Sequence, residues 1–337
     1  MLIDRFFEKG TAFLGCKYPI LCGAMTWVSD PKLVSAVGNA GGFGLLAGGN
    51  MPVNILRNHV LETRRMSGHP FGINIITLAP AYVEHLNMAC DVGCELIAFA
   101  GGIPKKKEIQ QAKSSGAKVI CFASTEPLAM MLIDRGADAL MLEGSEAGGH
   151  IGPVALSVLI QQILFQVESV PIFIAGGIAT GRMMAHLLMM GAAGIQMGTR
   201  FVMAEECDAH PKFKETFAKA KAKDAVATPQ FDGRLPVIPV RALKNEGTVE
   251  FGKIQLELLQ KLESGAIDKN EAQFEVERFW VGALQKAVVD GEVNSGSLMA
   301  GQSVGLVHDI QPLKVIVDEM VSEAEAEMQR LKSRLLA

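Results

Sequence analysis

The chain has 337 residues, 49% of them hydrophobic and only 20% charged, with 35 glycines; this is the profile of a densely packed α/β protein and excludes a disordered or fibrous chain. The net charge of −4 gives no reason to expect nucleic acid or an anionic membrane as the main partner. No apolar run of about 18 residues occurs, and Met1-Leu2-Ile3-Asp4-Arg5 lacks the layout of a signal peptide, so the expectation is a soluble cytoplasmic protein.

Short apolar runs recur along the first 200 residues, each followed by a helix-like segment: Pro19–Gly23, Phe43–Gly48, Phe71–Ile75, Glu95–Ala100, Lys118–Ala123, Asp138–Glu143, Pro171–Gly176 and Gly194–Thr199. Near-continuous hydrophobicity is what parallel strands covered on both faces require. Eight units of similar length predict a closed (β/α)8 barrel over 1–203. A doubly wound open sheet alternates in the same way, but its phosphate-binding glycines follow the first strand, whereas here they come late. Past Phe201 the rhythm breaks. Residues 204–300 read as a mainly helical lid with loops, and 301–337 as a C-terminal segment whose charged amphipathic helix, Gln311–Leu335, packs back on the barrel or on a second subunit.

Functional groups of such a barrel sit at the carboxyl ends of its strands. Strand one delivers Gly23, Ala24 and Met25, strand two Gly48-Gly49-Asn50, and strand three Asn74. These ends are largely uncharged and suit a flat, neutral ring such as a flavin, whose polar edge an amide can bond. Two late turns add a phosphate cradle. Ala175-Gly176-Gly177-Ile178 precedes a helix opened by Thr180, and Gln196-Met197-Gly198-Thr199 precedes another, so that backbone amides converge on a dianion. By themselves the turns fit FMN and a sugar-phosphate substrate equally well.

Strand six runs into Glu143-Gly144-Ser145-Glu146-Ala147-Gly148-Gly149-His150. A histidine on a glycine-rich loop at this end of a barrel can exchange protons with a ligand near neutral pH; a structural role is the competing reading. The other six histidines fall in predicted helices or outer loops. Glu143 and Glu146 lack a third oxygen ligand and read as hydrogen-bonding groups rather than a metal pair. No lysine closes a strand, which argues against Schiff-base chemistry. Cys90 and Cys94 lack the further ligands of a metal site. Lys105-Lys106-Lys107 is either a solvated loop or a docking patch for an acidic carrier protein or a nucleotide phosphate.

Together, Gly23 to Met25, Asn39-Ala40-Gly41-Gly42-Phe43-Gly44, Asn74, the Glu-Ala-Gly-Gly-His run at 146–150, Ala-Gly-Gly-Ile at 175–178 and Gln-Met-Gly-Thr-Arg-Phe at 196–201 resemble the nitronate monooxygenase and enoyl-reductase superfamily over nearly the whole chain. Val240-Arg241-Ala242-Leu243-Lys244-Asn245, the glycine segment Gly296–Val307 and Glu143 in place of a glutamine resemble the FMN-dependent enoyl-[acyl-carrier-protein] reductase II branch. The resemblance implies FMN contacts from Asn74, Glu143, Gly148, Gly149, Gly176, Gly177, Gln196, Met197, Gly198 and Thr199, with His150 as the catalytic residue. It further implies NADH or NADPH as co-substrate, an enoyl thioester or acyl carrier protein as partner, and a homodimer. A nitronate monooxygenase and a non-redox phosphate-binding barrel are the alternatives.

Overall fold

The computed structural model describes residues 1–49, 51–235 and 238–336; Asn50, at the end of the second predicted strand, lies outside them. Eight parallel strands close into a barrel: β1 Ile20–Cys22, β2 Phe43–Ala47, β3 Gly72–Ile76, β4 Leu96–Ala100, β5 Lys118–Ala123, β6 Ala139–Glu143, β8 Ile172–Ala175 and β9 Gly194–Met197. All eight coincide with the apolar runs of the sequence. Closure is made by β9 on β1, with Leu21 opposite Gln196.

Around the ring stand α2 Pro31–Asn39, α3 Val53–Met66, α4 Tyr82–Asp91, α5 Lys106–Ser114, α6 Glu126–Asp134, the short α7 Leu156–Leu159 continued by a π-turn, and α8 Gly181–Met189. Their starts are chemically marked: the Asp30 carboxylate accepts from the Leu33 amide ahead of Pro31, and the Thr180 hydroxyl accepts from the Met183 amide, each replacing an intrahelical bond that a helix start lacks. The amino-terminal helix α1 Asp4–Leu14 plugs the far end of the barrel, with the Phe13 ring tilted against Phe173, centroids 5.8 Å apart. Above them Leu21, Phe43, Leu96, Ile120, Met141 and Phe173 fill the interior without exposure, so the barrel is a packed core and any ligand must bind above its carboxyl rim.

After β9 the short α9 Thr199–Val202 ends the barrel sequence, and the chain makes a long excursion before returning. Departure and return are bonded to each other: Ala204 bridges Gln311, the Glu205 amide donates to the Gln311 carbonyl at 2.9 Å, and the Gln311 amide donates to Met203 at 3.1 Å. The excursion contains α10 Pro211–Lys219, β10 Ala225–Ala227, β11 Val240–Leu243, α11 Glu246–Glu263 and α12 Lys269–Val288. The last two helices share a core of their own, where Phe251, Val276 and Trp280 are buried, the Phe251 and Trp280 rings 4.3 Å apart.

Two of these elements were not expected. β10 and β11 form a small antiparallel sheet with β7 Gly149–His150, so His150 sits in a strand paired with Val240 rather than in a free loop. Strands of two to four residues carry almost no local period, and this pairing joins positions 90 residues apart. The final helix α13 Leu313–Leu336 packs on α8: the Gly181 amide donates to Glu323 at 2.8 Å and the His186 ring bonds Glu327 at 3.0 Å. The sequence left the barrel and a second subunit both open for this helix; here it lies on α8 of the barrel. No helix among the described residues is long and apolar enough to cross a membrane.

Candidate active site

A cavity of about 610 Å³ lies between the carboxyl rim of the barrel and α12, within the size range of small-molecule and cofactor sites. Gly23, Ala24, Met25, Asn74, Glu143, Gly148, Gly149, His150, Gly176, Gly177, Gln196, Met197, Gly198 and Thr199 all line it. The strand ends bring them together, because every inward-facing loop of a parallel barrel opens on the same side.

The turns after β8 and β9 are neighbours, since Ala175 and Gln196 are register partners. Gly176 and Gly177 have φ of +93° and +72°, a conformation that turns successive amides toward one point and that other residues adopt only under strain. Among the described residues nothing accepts from the amides of Gly177, Ile178, Gly198 or Thr199. Four unpartnered donors, two of them leading into helices, make an anion cradle. The Thr199 hydroxyl faces the other way, accepting from Gly301 at 3.0 Å, and so ties the cradle to the C-terminal glycine segment.

Beside the cradle, the amide oxygens of Asn74 and Gln196 are buried without a hydrogen-bond partner. A buried amide left unpaired costs about 1–3 kcal/mol, so both are groups a ligand would satisfy. A flat heteroaromatic with donors and acceptors on one edge and a phosphate on its tail fits this donor set.

His150 projects from β7 into the same cavity. Its Nε2 lies 3.2 Å from the carboxylate of Glu277 on α12, a residue that no motif marks. Burial depresses the imidazole most strongly, yet the bond to Glu277 and the charges of Glu277 and Glu143 together outweigh it, and its pKa is raised. Burial pushes the Glu143 carboxyl up to about 7, opposed by His150. The site therefore holds two groups able to exchange a proton near neutrality. Glu146 lines no part of the cavity; its carboxylate accepts from the Leu156 amide at 3.1 Å, the hydrogen-bonding role expected of it. Arg241 steadies the loop from β11, donating to the carbonyls of Ser145 at 3.0 Å and Ala225 at 2.7 Å.

Much of the remaining wall is apolar, with Ile76, Leu78, Phe122, Ile238, Phe274 and Met299, while Glu275 and Arg278 line it from α12. His150 is the only histidine on it, and no group of three metal-ligating side chains exists among the described residues. All six cysteines are free. Lys105, Lys106 and Lys107 are exposed at the start of α5, where Glu108 accepts from the Lys105 amide at 2.6 Å and offsets the unfavourable placement of cations at a helix start.

The model of the nitronate monooxygenase family matches residues 8–89 and 76–323. The chain is 30% identical to the (3aS,4S,5R,7aS)-5-hydroxy-7a-methyl-1-oxo-octahydro-1H-indene-4-carboxyl-CoA dehydrogenase of Mycobacterium tuberculosis, over 95% of this chain and 96% of that one. It is 26% identical to a probable nitronate monooxygenase of Staphylococcus saprophyticus, over 84% of this chain and 94% of that one. Among solved structures it resembles FabK from Thermotoga maritima, with 36% identity, a TM-score of 0.84 and coverage of 96% and 98%. The chain belongs to the nitronate monooxygenase family of flavin-dependent oxidoreductases.

Proposed function

We propose that this enzyme is an FMN-dependent reductase of enoyl thioesters. The observation that carries the reading is the composition of this cavity: an unpartnered amide cradle and two orphaned amides on one side, His150 in the middle and an apolar chamber beneath α12 on the other. Likeness to FabK, an enoyl-[acyl-carrier-protein] reductase II, and to an enzyme named for a CoA thioester supports a thioester as substrate.

The amides of Gly177, Ile178, Gly198 and Thr199 would hold the FMN phosphate, and Asn74 and Gln196 the polar edge of its ring. Bound there, FMN supplies hydride exchange between NADH or NADPH and the β-carbon of the thioester. His150 supplies the proton that the α-carbon needs, and Glu143, titrating near neutrality, can hydrogen-bond the ring edge in either protonation state. Phe122, Phe274 and Met299 exclude water from the acyl chain.

Nitronate monooxygenase activity is the second reading, favoured by the family model and the staphylococcal relatives. Anaerobic mixing separates the two. Bleaching of the bound flavin by NADH or NADPH, followed by reoxidation with crotonyl-CoA, is the expected result. Bleaching by an alkyl nitronate alone would overturn the reductase, and a colourless protein that takes up no FMN would overturn both.

A further inference from the structure

Among the described residues, Glu277 is the only side chain that hydrogen-bonds the His150 ring, Nε2 to carboxylate at 3.2 Å. A carboxylate can only accept, so Nε2 carries hydrogen and Nδ1, which has no partner among the described residues, is the ring atom left for a ligand. One helical turn along α12, the Val281 carbonyl accepts from the indole N–H of Trp27 at 3.3 Å. Trp27 lies two residues beyond Met25 and holds φ of +66°, alone among the described non-glycine residues in having a positive φ. One face of α12 is thus fastened both to the His150 strand and to the loop after β1.

We propose that Glu277 is the positioning residue for His150: it fixes the imidazole through Nε2, makes Nδ1 the working nitrogen, and so makes the proton donor complete only when α12 is seated on the barrel. The inference rests on the enoyl-reductase reading for the direction of proton flow. In that reaction the Nδ1–H bond of the imidazolium breaks as a C–H bond forms at the α-carbon. The β-carbon receives the hydride, whose two electrons come from NADH or NADPH. The ring is left neutral, still bonded through Nε2–H to Glu277, and regains its proton from water.

The charges around the ring agree with this direction. Glu277 faces it from α12 and Glu143 from the end of β6, both favouring the cation against the effect of burial. On β11, the Arg241 guanidinium is engaged by the Ser145 and Ala225 carbonyls. Arg278 and Glu275, which also line the cavity, bond each other.

The test uses flavin-loaded enzyme labelled with 15N-histidine and its Glu277→Gln and Glu277→Asp variants. Ring 15N shifts read both the titration of His150 and the tautomer of its neutral form; the pH profile of crotonyl-CoA reduction reads the chemistry. Glutamine keeps the shape and removes the charge. The neutral wild-type ring is expected as the Nε2–H tautomer. Glu277→Gln should move the His150 midpoint and the alkaline limb of kcat to lower pH, cutting kcat at about pH 8 roughly tenfold, part of the 10²–10⁴ that a positioned acid contributes, with KM within about twofold. Glu277→Asp should restore part of both. An unmoved midpoint, an Nδ1–H tautomer, or a change confined to KM would overturn the inference. Wild-type enzyme that reduces no crotonyl-CoA would instead overturn the reductase reading, while the 15N titration still decides whether Glu277 governs His150.

Discussion

Gly148 is where the His150 strand meets the C-terminal glycine segment, and adding one methyl group there tests how closely the site depends on that contact. A Cβ on Gly148 would lie 2.5 Å from the carbonyl carbon of Ala300 and from the amide nitrogen of Gly301. Both are backbone atoms, so no side chain can rotate away; the two segments must separate by roughly 1 Å to reach ordinary contact. Overpacking of this kind costs about 1–3 kcal/mol, and a displacement of about 1 Å at a reacting group costs on the order of 10²-fold in rate. Gly148→Ala should therefore melt earlier and lose on the order of 10²-fold in kcat/KM for an enoyl thioester. Gly282→Ala is the control. It sits inside α12 with no atom within 4 Å of its would-be Cβ, and alanine there should raise stability by up to about 1 kcal/mol with little effect on turnover. The pair is read by thermal melting and steady-state kinetics. A Gly148→Ala enzyme with unchanged melting and turnover would refute the steric argument.

Asn74→Leu should weaken flavin retention about fivefold, the equivalent of one hydrogen bond of roughly 1 kcal/mol, measured as FMN fluorescence released on dilution; equal retention would remove Asn74 from the flavin site. Glu327, held by Arg330 at 2.8 Å and His186 at 3.0 Å, has its carboxyl brought down to about 2, chiefly by the Arg330 bond. A depressed carboxyl stabilises the fold above the unfolded carboxylate range of about 4.3 and ceases to do so as pH falls toward 2. Glu327→Gln should accordingly melt earlier at pH 7 and show a flatter acid decline between about pH 5 and 2; parallel melting curves would deny the link. Reversing Lys105, Lys106 and Lys107 to glutamate should raise KM for a carrier-protein thioester and leave KM for the CoA thioester unchanged. Equal effects on both substrates would mark the patch as solvated surface.

The barrel was legible because each of its strands is buried on both faces, which leaves an uninterrupted apolar run, and because a helical segment separates each run from the next. The cavity was legible for a related reason: a parallel barrel puts all its strand ends on one side, so Asn74, Gly176 and Gly198 needed only to be recognised as strand ends to be placed together. The excursion offered neither rule. Glu277 lies on an amphipathic helix between Glu275 and Arg278, and nothing local distinguishes it from them; its meaning comes from His150, 127 residues away. Trp280 is core, and that its neighbour Val281 meets Trp27 depends on how α12 lies across the rim.

The bonded departure and return at Ala204 and Gln311 bear on how such enzymes diversify. A segment whose two ends are pinned side by side can be lengthened, shortened or exchanged without disturbing the ring that carries it. Substrate range is then open to wholesale replacement rather than to point mutation alone. In this chain the freedom is bounded, because the same excursion supplies the strand beside His150 and the carboxylate on its ring. A transplanted segment would bring its own setting for the proton step, and selectivity and reactivity would be inherited together.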